Sequence, residues 1–156
     1  MAMAFSYQID NPLPQITADK VVIDKSDRVL ILLRDGKQIK SYRISIGRGG
    51  IGRKTVEGDN LTPEGLYKID RHNVRSSYYK SLHIDYPNEQ DVKTAAKSGE
   101  SAGSDIMIHG LRPIVAFLGK AHLLVNWTRG CIAVTNPEMD ELWRAIPDGT
   151  VIEIRQ

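Results

Sequence analysis

Aliphatic residues in this chain arrive in short bursts, each cut off by a turn signal, and that rhythm constrains the fold more than any other feature. Val21-Val22-Ile23 and Val29-Leu30-Ile31-Leu32-Leu33 flank a polar Asp24-Lys25-Ser26-Asp27 turn. Bursts of this length, rich in β-branched residues, read as strands rather than helices. Asp35-Gly36 then supplies the pair that a two-residue type I′ hairpin requires, since both central positions need a positive φ. A third strand is predicted from Ile39 to Ile46, with Ile39, Ile44 and Ile46 as its apolar positions, so the chain should open as a three-stranded meander. No apolar run approaches the roughly 18 residues of a membrane-spanning helix.

Residues 47–65 contain six glycines and Pro63 and read as a long loop. Further strands are predicted at 66–69, 82–84, 106–108, 131–134 and 150–154. A short helix should cover 88–98, stopped by Gly99, and the connection 111–127 should be partly helical. The last helix has the strongest pattern. Asn136 reads as its N-cap and Pro137 as its first position, while Met139, Leu142, Trp143 and Ile146 share one face that should dock on the sheet. The fold class expected is therefore mainly β, a mixed sandwich-like sheet assembly with one or two packed helices. No internal repeat or second compositional regime occurs, so residues 19–156 should form one domain. Residues 1–18, with Pro12 and Pro14, read as an extended lead-in whose doubled Met-Ala is compatible with a cloning remnant.

Charge and cysteine content narrow the function classes. Lys and Arg total 21 against 19 Asp and Glu, a balance that argues against a nucleic-acid footprint. The single cysteine, Cys131, excludes an internal disulfide framework and any multi-cysteine metal site. The first residues lack the basic start and apolar stretch of a secretory signal.

Gly47-Arg48-Gly49-Gly50-Ile51-Gly52 matches G-x-G-x-x-G, yet no helix follows to face a pyrophosphate, so the glycines are read as loop geometry. The four histidines show no H-x-x-x-H or H-E-x-x-H spacing, and no metal site is expected; His72, His83 and His122 read as surface or part-buried polar residues. Cys131 and His109 stand apart. Cys131 follows Thr128-Arg129-Gly130 at a loop-to-strand junction, and His109 ends an apolar strand. A thiol is weakly ionised at neutral pH, so a nucleophilic cysteine needs an imidazole nearby. Gly130 leaves room for a carbonyl to approach, and the amides around Gly130-Cys131 are candidate oxyanion donors. On residues alone, a buried structural cysteine remains the rival reading.

At these positions the sequence resembles the YkuD-domain family of L,D-transpeptidases, cysteine enzymes of bacterial peptidoglycan. His109-Gly110, then Thr128-Arg129-Gly130-Cys131-Ile132 after the 18 residues 110–127, is similar to the family's His-Gly and Ser/Thr-His-Gly-Cys pattern. Gly58-Asp59-Asn60-Leu61-Thr62-Pro63-Glu64-Gly65 looks like its Thr-Pro-x-Gly segment, and 148–154 like its closing turn and strand. Two positions depart: Arg129 stands where the family usually has His, and Ala133 where it often has Arg. The run 126–136, with Tyr86-Pro87-Asn88 upstream, resembles the YafK-type branch, whose members include enzymes that cut links to the stem peptide, notably that of an outer-membrane lipoprotein.

The resemblance implies acyl transfer at the L-centre of the position-3 diamino acid of a stem peptide, meso-diaminopimelate by expectation. Cys131 would be a low-pKa nucleophile within hydrogen-bond reach of His109, the general base. Arg129, Trp127, Thr128 and Gly110 are the candidate substrate-binding residues. No cofactor is implied, and partners would be peptidoglycan stem peptides and a peptidoglycan-linked lipoprotein. The place of work implied is the periplasm or cell envelope. Hydrolysis at the same bond, a non-catalytic peptidoglycan-binding protein and a metal-binding protein are the alternatives left open.

Overall fold

In a computed structural model, residues 17–156 are described; apart from its last two residues, the expected lead-in lies outside them. Packing begins at Ala18, one residue before the expected boundary: it is buried, and its N–H donates to the Ala145 carbonyl. Eight strands follow: β1 (Lys20–Asp24), β2 (Val29–Arg34), β3 (Lys37–Arg43), β4 (Gly65–Asn73), β5 (Ser81–Ile84), β6 (Met107–His109), β7 (Ile132–Ala133) and β8 (Val151–Arg155). Two α-helices, α1 (Glu89–Ala96) and α2 (Asn136–Ala145), and a stretch of 3-10 turns over Pro113–Leu124 complete the domain. The mainly β expectation holds.

The strand order is β3-β2-β1-β8-β4-β5-β6-β7. Among the named strands of the described residues, β1/β8 and β6/β7 pair in parallel and the rest antiparallel. The meander forms as predicted, and Asp35 and Gly36 adopt φ of 51° and 77°, the positive values its hairpin turn needs. The predicted third strand, however, stops at Arg43. Ile44 and Ile46 stay buried, but the chain crosses to the opposite end of the sheet, where Ser45 bridges Ala133 and Gly47 bridges Thr128. The sheet thereby curls until its two ends meet, and a period-two pattern carries no sign of that change of partner.

Alternation fills the interior. Val21, Ile23, Leu30, Leu32, Ile152 and Ile154 face one core, against which α2 lays Met139, Leu142 and Ala145. Truncating a fully buried side chain such as Met139 to Ala costs about 2–5 kcal/mol. Trp143 is only half-buried and packs edge-on against His72 at 4.6 Å. The N-cap of α2 is Thr135, not Asn136: Thr135 Oγ1 accepts from Glu138 N–H, while the Glu138 carboxylate accepts from Thr135 N–H. Threonine with glutamate three residues on closes a capping box, which asparagine followed by Met139 cannot do. The helix expected over 88–98 is shorter, with Asn88 and Asp91 forming a second capping box.

The 47–65 loop is tied down by an unforeseen buried lysine. Lys25 Nζ donates to Gly52 O (2.8 Å), Thr62 O (2.7 Å) and Glu64 Oε2 (3.1 Å). Desolvation lowers the Lys25 pKa, with the Glu64 partner opposing that shift. Asp59 accepts from three loop amides, those of Thr55, Val56 and Leu61, and from Lys54. Burial alone would raise its pKa, yet these donors hold it below the usual carboxylate value. The glycines have local reasons too: a Cβ on Gly47 would meet Asn60 O at 2.2 Å. No helix follows Gly52, in keeping with loop geometry rather than a nucleotide site.

Candidate active site

Parallel pairing of β6 with β7 sets Ile108 opposite Ile132 and His109 opposite Ala133, so His109 ends one strand beside the loop that delivers Cys131 to the other. Both residues line one cleft of about 500 Å³, together with Arg48, Tyr78, Trp127, Thr128 and Arg129.

The imidazole is packed deeply. His109 is 3% exposed, with the Tyr78 ring 4.4 Å away on one side and Trp127 edge-on at 5.9 Å. Its Nδ1 lies 2.7 Å from Gly110 O. A carbonyl only accepts, so Nδ1 carries the proton and Nε2 keeps the lone pair needed by a base. Burial pushes the His109 pKa down to about 4, against a smaller opposing effect of the Gly110 bond, so the ring is neutral at neutral pH. Trp127 is itself held, its Nε1–H donating to His122 Nδ1 at 3.1 Å.

The thiol departs from expectation. Cys131 Sγ donates to Asp105 O at 3.4 Å and makes no hydrogen bond to His109. Burial raises its pKa to about 11, the nearby Met107 N–H countering only part of that. The resting pair is therefore thiol and neutral imidazole, not the low-pKa thiol anticipated. Desolvation penalises both ions, and no bond between the two groups offsets it. Asp105, with φ at 60°, presents the accepting carbonyl.

The turn before the cysteine uses much of its own polar capacity. Thr128 Oγ1 donates to Cys131 O (2.7 Å) and accepts from Gly130 N–H (3.2 Å). Of the two amides anticipated as oxyanion donors, Gly130's is thus engaged, and Cys131's is the one outside this turn. Gly130 adopts φ 139°, and a Cβ there would lie 2.8 Å from Leu61 O. Gly110 sits behind the cleft rather than in it: its missing Cβ makes room for Asn136 Oδ1, which accepts from Leu111 N–H at 2.7 Å. Arg129 is exposed at the cleft.

Sequence reasoning missed Tyr78, Asp105 and Asn136. Neither Tyr78 nor Asp105 lies in a recognisable motif. Asn136 was assigned to the helix cap, and its placement after Thr135 was the available hint. Among the described residues, no group of three or more His, Cys, Asp or Glu is arranged to hold a metal ion. His83 and His122 are buried rather than surface or part-buried, His83 bonding Asp70, whereas His72 is part-buried as expected and bonds Asp148.

The L,D-transpeptidase catalytic domain (YkuD) profile matches residues 18–154. The chain belongs to this family. YafK of Escherichia coli strain K12, which carries a provisional L,D-transpeptidase name, is 31% identical over 137 residues, covering 84% of this chain and 48% of that protein. Among solved structures, the helical cell shape determining protein Pgp2 of Campylobacter jejuni superposes with a TM-score of 0.68 at 24% identity, over all of this chain and 55% of its own. An L,D-transpeptidase from Xylanimonas cellulosilytica gives 0.58 at 18% identity, over 98% of this chain and 68% of its own. Those two likenesses show the YkuD fold. This chain spans about half the length of YafK and of Pgp2.

Proposed function

We propose that the protein is a cysteine acyltransferase of peptidoglycan stem peptides, acting at the L-centre of the position-3 diamino acid, with meso-diaminopimelate as the residue expected there. The observation that supports this most is the convergence of one thiol and one neutral imidazole in a single cleft, at positions that resemble the family's His-Gly and Gly-Cys motifs. In this reading, substrate entry swings Sγ from the Asp105 carbonyl toward His109 by rotation about Cα–Cβ. Hydrogen bonds of this kind commonly tighten only with substrate bound. As Sγ attacks the carbonyl carbon, the thiol proton passes to His109 Nε2. The C–N bond then breaks, His109 returns the proton to the leaving amine, and a thioester remains on Cys131. An acceptor amine, deprotonated by His109, completes transpeptidation.

The Cys131 amide is the nearest candidate for the oxyanion. Arg129 is proposed to grip a substrate carboxylate and Trp127 to shape the cleft around the imidazole. Work on peptidoglycan implies the periplasm or cell envelope. No helix among the described residues is long and apolar enough to cross a membrane.

Hydrolysis of the same thioester is the second reading, supported by the sequence's resemblance to the YafK-type branch and by the use of one His–Cys pair for either acceptor. It would include release of a peptidoglycan-linked lipoprotein. Incubation with purified tetrapeptide muropeptides, with and without an amine acceptor, followed by mass spectrometry, separates the two. A cross-linked or exchanged product supports transfer, shortened stems alone support hydrolysis, and unchanged muropeptides in every arm would overturn both.

A further inference from the structure

The isolated bridge between Gly47 and Thr128 is parallel, with Arg48 N–H donating to Thr128 O at 2.8 Å. Arg48 and Arg129 each follow this bridge by one residue, in the turn and the bend where the two segments leave it. Both are exposed, both line the cleft that holds Cys131 and His109, and neither has an ion-pair partner among the described residues. Lys54, the other cation of the cleft, is already neutralised by Asp59 at 3.0 Å. Two unpaired cations lining one cleft raise its positive potential, which favours an anionic group there. Each guanidinium presents a planar, donor-rich fork suited to carboxylate oxygens.

We infer that Arg48 and Arg129 together form a carboxylate-binding subsite at the mouth of the cleft, with Arg48 as a specificity-determining residue. This deepens the function proposed above and rests on it for the identity of the ligand: a stem peptide bearing a free carboxylate close to the scissile bond. The carboxylate has two sources in such a peptide, the terminal D-residue and the side-chain centre of the diamino acid. Glu57 and Asp105 also line the cleft, so it is not uniformly positive, and the preference belongs to the arginine pair.

Two measurements on the whole chain test this. The first needs no substrate: the rate of Cys131 alkylation by anionic iodoacetate is compared with that by neutral iodoacetamide. Arg48→Gln and Arg129→Gln should each lower the iodoacetate-to-iodoacetamide ratio several-fold, with the iodoacetamide rate itself little changed. The second uses tetrapeptide substrates amidated at the terminal carboxylate or at the diamino-acid side chain. Arg48→Gln should raise KM about tenfold on the free acid and leave it unchanged on whichever amide removes the bound group, which identifies the source. Arg48→Lys should recover only part of the loss, because an ammonium lacks the fork. If wild type turns over no stem peptide yet the alkylation ratio falls in the variants, the subsite stands and the assigned substrate fails. An unchanged ratio together with an unchanged KM on the free acid overturns the inference.

Discussion

At Cys131, partly exposed in the cleft wall, the surrounding protein sets the resting state of the thiol. With the thiol raised to about 11 and His109 lowered to about 4, proton transfer and attack are coupled, and no standing ion pair precedes substrate. Iodoacetamide alkylation of the free protein should therefore keep climbing with pH beyond 8.5, the value of an ordinary thiol, instead of reaching a plateau near neutrality. A plateau at or below pH 7, abolished in His109→Gln, would mean that the pair is ionised at rest. That His109 and Cys131 share the cleft was legible in their resemblance to the family's His-Gly and Gly-Cys motifs. Their protonation was not, because it depends on how Tyr78, Trp127 and the Asp105 carbonyl pack around the two groups.

The loop between β3 and β4 is an element without regular structure, and Lys25 gives it a fixed shape. Replacing Lys25 with Met removes three hydrogen bonds and leaves Thr62 O, which is buried, without this donor. A loss of about 2–4 kcal/mol follows, larger than a surface substitution would give. Denaturant unfolding measures it, and a loss under 0.5 kcal/mol would show that the loop does not depend on Lys25. Turnover should fall as well, since the same loop brings Lys54, Glu57, Gly58 and Asn60 to the cleft. The sequence announced this stretch as a glycine-rich loop but not its anchor, because Lys25 reads as one more polar residue of the β1–β2 turn. Strand identities were legible for the same local reason that their ends were not. Period-two alternation survives when the chain leaves one neighbour for another, as it does between Arg43 and Ser45.

For the whole molecule, curling the sheet brings its two ends together and builds the cleft beside that closure, so burial of His109 couples the site to global stability. Its ordinary value of 6.5 applies in the unfolded chain and about 4 in the folded one. Between those values the unfolded state binds more protons, so stability should fall as pH drops from about 6.5 to 4, by on the order of 3 kcal/mol in all. Urea unfolding midpoints across that range should show the decline, and His109→Gln should flatten it; an equal decline in the variant would assign it elsewhere. The proposed function rests on the covalent step. Intact-protein mass spectrometry after mixing with a disaccharide tetrapeptide should show an adduct equal to the donor minus the free terminal D-amino acid it releases, localised to Cys131 and missing from Cys131→Ala, whose folding circular dichroism checks. Product formation without any adduct on Cys131, or activity retained in Cys131→Ala, would contradict it.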